Sequence, residues 1–182
     1  MKVLTLDCEY NQPSKKLINI GAAVFDARSA ELIETLDLYI NPNEPINPEI
    51  IDLTGITDSD VKNGLTPFQA YEELKRFHKK HKCFMNPLVW GSSTSNDSHH
   101  IWTESQSTEE NFMGFRVLDV KTIYQSWKLF ENKQIKSSLK EACERCGLSF
   151  EGIPHRALPD AINTFRIWYF LVKKISLGAR SV

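Results

Sequence analysis

Asp7 and Glu9 stand two residues apart in LTLDCEY. On an extended strand, positions i and i+2 point to one face, so the two carboxylates would share a side and repel. Strands disfavour Asp, and an unpaired buried carboxylate costs more still. A divalent cation resolves that conflict; the ordinary alternative is a solvated strand end. A second set lies in HRALPDA. His155 and Asp160 would face different ways on a continuous helix. Pro159 suits a first helical turn, which puts Asp160 in that turn and His155 in the preceding loop, free to swing over a site that Asp160 helps build. A helix-start carboxylate is also favoured by the macrodipole alone. The third candidate is Asp97 in WGSSTSND, at the end of a short strand or the start of a helix. There it could equally be an N-cap.

These residues need elements to position them. Val3 to Leu6 reads as a strand ending at Asp7, and Leu17 to Phe25, nearly all apolar, as a strand buried on both faces near the sheet centre. Glu31 to Ile40 is a third strand, stopped by Asn41-Pro42-Asn43. Short connections make the three an antiparallel meander. Pro48 to Leu53 predicts a short helix, and Thr57 to Asp60 the start of another. Thr66-Pro67 opens a longer one with Phe68, Tyr71, Leu74 and Phe77 on one face. Pro87 to Trp90 and Arg116 to Val120 predict short strands. Helices are expected from Ser95 to Trp102, after Val120 through Trp127, from Ser137 to Cys146 with Gly147 as cap, and from Pro159 to Ile175. Gly91 to Ser98 and Glu104 to Asn111 read as polar loops bordering a site. Three antiparallel strands followed by alternating helices and strands predict an α/β fold, a mixed sheet flanked by helices, in one domain over residues 1–182.

Composition sets bounds. The chain has 182 residues, 41% hydrophobic and 25% charged, with a net charge of −1. Those values exclude a disordered chain and a disulfide miniprotein. No apolar run spans a bilayer, and an acidic residue arrives too early for a signal peptide, so the four cysteines read as reduced thiols in a cytoplasmic chain. A protein holding nucleic acid only by a basic surface would carry excess Lys and Arg; this one needs other help, such as a metal ion.

Taken together, D-x-E on the first strand, a central Asp and H-x-x-x-x-D opening the last helix resemble the DnaQ-like 3′→5′ exonucleases of the DEDDh subgroup. LTLDCEY is similar to the first exonuclease motif, INIGAAVFD to the next strand, and IIDLTGITDSDV to the turn-and-helix segment after the third strand. VWGSSTSND resembles the second motif, SSLKEACERCGL the helix before the last motif, and HRALPDA the third motif. There are two departures. Tyr10 stands where many relatives have Thr or another small residue, and Asn96 where relatives commonly have Phe. Asp119, on a later strand, is a rival to Asp97.

The resemblance implies an RNase H-like fold and metal-dependent 3′→5′ hydrolysis of single-stranded DNA or RNA, releasing nucleoside 5′-monophosphates. Asp7, Glu9, Asp97 and Asp160 would hold two divalent cations about 3.5–4 Å apart, with Asp7 bridging, Glu9 and Asp160 completing one site, and Asp97 holding the other. All-oxygen ligands favour Mg²⁺ or Mn²⁺ over Zn²⁺. His155 would be the general base, since an imidazole titrates near neutrality. Tyr10 would pack on the terminal sugar or base, and Leu53, Gly55 and Ile56 would line the nucleotide pocket, unless Leu53 and Ile56 are core. Two alternatives remain open: a catalytically silent nucleic-acid-binding module, and an exoribonuclease restricted to short oligoribonucleotides.

Other features read as structure. Cys143-x-x-Cys146 lacks a second ligand pair for zinc. His99-His100 reads as a polar contact. The basic run Lys75, Arg76, Lys79 and Lys80 reads as a solvated helix face, or else as a track for a nucleic-acid backbone. The aromatic last helix (Phe165, Trp168, Tyr169, Phe170) reads as packing and could bury a homodimer contact.

Overall fold

A computed structural model describes residues 1–91, 97–133 and 136–178. Strands β1 (Lys2–Tyr10), β2 (Leu17–Asp26) and β3 (Leu32–Tyr39) form the expected antiparallel meander. Helices α1 (Pro48–Thr54), α2 (Asp58–Val61) and α3 (Pro67–His81) follow. Then come β4 (Leu88–Val89), α4 (Asp97–Ser105), β5 (Leu118–Asp119), α5 (Val120–Phe130), α6 (Leu139–Arg145) and α7 (Ala157–Gly178). The five strands lie in the order β3-β2-β1-β4-β5, with β4 and β5 parallel to β1. This is the mixed sheet of an RNase H-like α/β fold. No helix among the described residues is long and apolar enough to cross a membrane.

β1 does not stop at Asp7. The ladder runs on through Asp7↔Gly21 and Glu9↔Asn19, so pairing with β2 overrides the poor strand propensity of the acids. The sheet separates two packing layers. On one face Leu4, Leu6, Cys8, Ile20 and Ala22 pack with Tyr71, Leu74 and Phe77 of α3 and Ile101 of α4. On the other, Val3, Ala23 and Phe25 pack against Phe165, Ile167 and Leu171 of α7. The Phe165 ring stacks on Phe25 with centroids 3.8 Å apart.

Three further expectations are corrected. Phe68 is exposed, because about 100° per helical residue sets it on the far side of α3 from Ala70, Leu74 and Phe77. Ser98 and Glu104 are helical rather than loop residues: α4 runs past both, with Ser98 and Ser105 buried. α7 starts at Ala157, two residues before Pro159. A third-position proline is tolerated there because the first helical N–H groups have no intrahelical partner. The Asp160 N–H closes the first turn on the Arg156 carbonyl at 3.0 Å.

Candidate active site

The start of α7 meets the sheet at a glycine of β2, next to β1. Gly21 pairs with Asp7, and a Cβ there would lie 2.1 Å from the Ala157 carbonyl carbon and the Leu158 nitrogen. With no side chain in the way, the α7 backbone rests on the sheet and brings its first turn beside Asp7 and Glu9. Carboxylate oxygens of Asp7, Glu9 and Asp160 consequently lie within 4.8 Å of one another. Cys8, on the opposite face, is buried in the core.

Every acid in this group resists ionisation. Burial pushes Asp7 well above the ordinary carboxylate range, with repulsion from Asp97, Glu9 and Asp160 adding to it. Burial, then Asp160 and Asp97, push Glu9 up to about 8, against a smaller pull from the Arg156 guanidinium. Burial raises Asp160 to about 6, opposed by the nearby His155 backbone. Asp160 Oδ1 is buried without a hydrogen-bond partner. An orphaned carboxylate oxygen within a cluster of mutually repelling acids fits a divalent cation, whose charge and oxygen preference match this donor set.

Asp97 stands just outside the tight trio but within electrostatic reach of Asp7 and Glu9. It opens α4 and accepts a 2.7 Å hydrogen bond from the Tyr10 hydroxyl. Burial raises it to about 6, partly offset by that bond and by His100. The rival Asp119 is otherwise engaged. It caps α5 by accepting from the Thr122 N–H at 3.2 Å, and it accepts from the Gly91 N–H at 3.1 Å. Asn96 lies outside the described residues.

His155 is exposed on the loop before α7 with a φ of +61°. Its backbone lies close enough to Asp160 to favour the ionised carboxylate. Tyr10 turns its hydroxyl to Asp97, so its polar end is already engaged. Leu53 is half exposed. Gly55 ends α1 in the left-handed region at φ +67°. Ile56 is fully buried with Ile18, Ile46 and Val61, and its side chain belongs to the core rather than to a contact surface.

Arg156 went unassigned in the sequence. Its Nη2 donates to the Gly55 carbonyl at 2.8 Å and its Nη1 to the Tyr39 hydroxyl at 3.1 Å. The adjacent His155 loop is thereby joined to the α1–α2 turn. Its place inside HRALPDA was the available signal; its partner, 101 residues away, gave none.

An exonuclease family model matches residues 4–168, nearly the whole chain. The chain belongs to the exonuclease family. Within that family its D-x-E, central Asp and H-x-x-x-x-D follow the DEDDh pattern of 3′→5′ exonuclease domains. Exonucleases of the family use divalent metal ions. A curated relative, the 3′-5′ exoribonuclease 1 of Rattus norvegicus, is 22% identical over 174 residues, covering 88% of this chain and 48% of that protein. The chain thus spans about half the length of that relative. Among solved folds, the nuclease domain of 3′hExo, a DEDDh family member bound to rAMP, superposes with a TM-score of 0.78 at 20% identity over 95% of this chain and 92% of that one. S. pombe Pop2p in its Mg²⁺- and Mn²⁺-bound form superposes at 0.68, with 18% identity over 92% and 81%.

The remaining features stay structural. Lys75 pairs with Glu72 and Glu109, Arg76 with Glu73 and Lys80 with Glu34. His100 contacts the Lys15 carbonyl and Glu104. Cys143 and Cys146 are buried free thiols that burial pushes up to about 12 and 11.

Proposed function

We propose that this exonuclease-family domain, one unit over residues 1–182, removes nucleotides from the 3′ end of single-stranded nucleic acid as nucleoside 5′-monophosphates. It would do so with two bound cations, Mg²⁺ or Mn²⁺. The carrying observation is the Asp7, Glu9 and Asp160 group with its partnerless Asp160 oxygen. Those three acids would hold one ion; Asp97, with Asp7 shared between the sites, would hold the other. When bound, such a pair lowers the pKa of water and steadies the charge on the attacking and leaving oxygens.

The protein's own part begins at His155. It takes a proton from the attacking water, a step typically worth about 10²–10⁴-fold. As water adds to the terminal phosphodiester, the 3′ oxygen of the next nucleotide departs in line. Arg156 sets the His155 loop against the Gly55 turn. Leu53, exposed at the end of α1, offers an apolar surface to the terminal nucleotide. All five acid and base residues come from one chain, so no dimer is needed to complete the site. The four free thiols fit a cytoplasmic setting.

RNA is the favoured substrate, because the curated relative carries an exoribonuclease name and a structural neighbour is described with rAMP. The experiment uses end-labelled DNA and RNA oligonucleotides of matched sequence, with Mg²⁺, Mn²⁺ or EDTA. Stepwise shortening from the 3′ end with release of mononucleotide, lost in EDTA, is expected. Binding without cleavage in every metal would leave the silent-module reading in its place, and cleavage confined to the shortest RNAs would favour the oligoribonucleotide reading.

A further inference from the structure

The residues around Asp97 form an arrangement that the exonuclease reading does not require. Asp97 is the first residue of α4, so its carboxylate is carried on the end of an element rather than within a strand ladder. The Tyr10 hydroxyl donates to Asp97 Oδ1 at 2.7 Å, a short charge-assisted bond across 87 residues. The Tyr10 ring is braced edge-on by His100, with centroids 4.8 Å apart. The same face of α4 is fixed to the β1–β2 connection twice more: His100 Nε2 sits 3.0 Å from the Lys15 carbonyl, and Glu104 accepts from the Leu17 N–H at 3.0 and 3.2 Å. The register shift at Glu9/Tyr10 falls beside these contacts. One carboxylate oxygen of Asp97, Oδ1, is therefore held by Tyr10, which fixes the orientation of the carboxylate at the start of α4.

We propose that Tyr10 is a positioning residue that orients Asp97 for the second divalent cation, and that this phenol does the anchoring work for the start of α4. It stands at one of the two positions where the sequence departs from the family motifs. Asp97 itself would be the ligand; Tyr10 would touch neither cation nor substrate. The inference rests on the two-cation reading above.

The test is a Mn²⁺ titration followed by electron paramagnetic resonance, with turnover on a 3′-labelled oligonucleotide measured in parallel for wild type, Tyr10→Phe and Asp97→Asn. Tyr10→Phe keeps the ring against His100 and removes only the donor; circular dichroism checks that it folds. Two Mn²⁺ ions are expected in wild type. Asp97→Asn should keep one. Tyr10→Phe should bind both, the weaker about tenfold less tightly, in the range found for residues that orient metal ligands. Its turnover should recover at high Mn²⁺, which a general packing defect would not do. If Asp97→Asn loses the second ion while Tyr10→Phe binds it with wild-type affinity, the positioning role is overturned and the two-cation reading stands. If Asp97→Asn still binds two ions, the two-cation assignment fails and the role of Tyr10 falls with it.

Discussion

Glu9, Asp160 and Asp97 make the folded protein's stability depend on pH in an unusual direction. Their pKa values rise from 4.5 to about 8 for Glu9 and from 3.8 to about 6 for the two Asp residues, chiefly through burial. The folded state thus binds more protons than the unfolded one, and stability falls with pH wherever that holds. This contribution is complete near pH 4 and is lost as pH climbs through 6 to 8. In EDTA, the melting temperature should drop between about pH 5 and pH 8.5, and Glu9→Gln should flatten the slope. Saturating Mn²⁺ should raise the melting temperature most at the high end, because the cation binds ionised carboxylates. A flat EDTA profile would contradict the buried-acid electrostatics. The proposed general-base role of His155 is tested separately. His155→Ala should lose at least about tenfold in turnover while its Mn²⁺ isotherm stays at wild type. A parallel loss of binding would mean that the residue shapes the ion site instead.

The seating of α7 on β2, beside β1, is what brings the separate acids together. Its weak point is Gly21, where any Cβ collides with the backbone of Ala157 and Leu158. Backbone cannot turn aside as a flexible side chain can, so Gly21→Ala should destabilise by about 3 kcal/mol or more, at the upper end of overpacking costs. It should also weaken Mn²⁺ binding by lifting Asp160 from Asp7. Gly147→Ala serves as the control. It has open space around its Cβ but a φ of +73°, so it should cost about 1 kcal/mol and leave the metal isotherm alone. Urea denaturation with parallel titrations reads both. At this scale the sequence was legible where patterns are local: the apolar run of β2, the Thr66-Pro67 start of α3 and the Gly147 stop after α6 all stand where the residues imply. Boundaries set by pairing were not, as β1 shows by running on to Tyr10.

Across the molecule, the sheet divides the surface into two electrostatic territories. Asp7, Glu9 and Asp160 lie toward the α7 side, whereas α3 packs on the other side, with Lys75, Arg76 and Lys80 of its basic run paired to Glu72, Glu109, Glu73 and Glu34. Cations already paired with carboxylates release few counterions when a polyanion binds. Lys80→Gln should accordingly leave KM and its salt dependence unchanged. A salt slope flatter by about one unit would place α3 on the substrate path. With a net charge of −1, the proposed function leans on the metal-loaded acids for substrate affinity, so binding as well as turnover should weaken when the metal is withdrawn.

Asp7, Glu9, Asp97, His155 and Asp160 were candidates in the chain alone, each also open to an ordinary structural reading until their order resembled the exonuclease motifs. Carboxylates at strand spacing and a His ahead of a helix-starting Asp are local patterns, and their joint order along the chain is what carried the resemblance. Only the tertiary structure decided that Asp7 faces a bare Gly21, that Tyr10 reaches Asp97 and Arg156 reaches Gly55, and that Ile56 is core. Each of those facts depends on segments far apart in sequence packing together, and residue type and spacing carry no record of which distant neighbour will arrive.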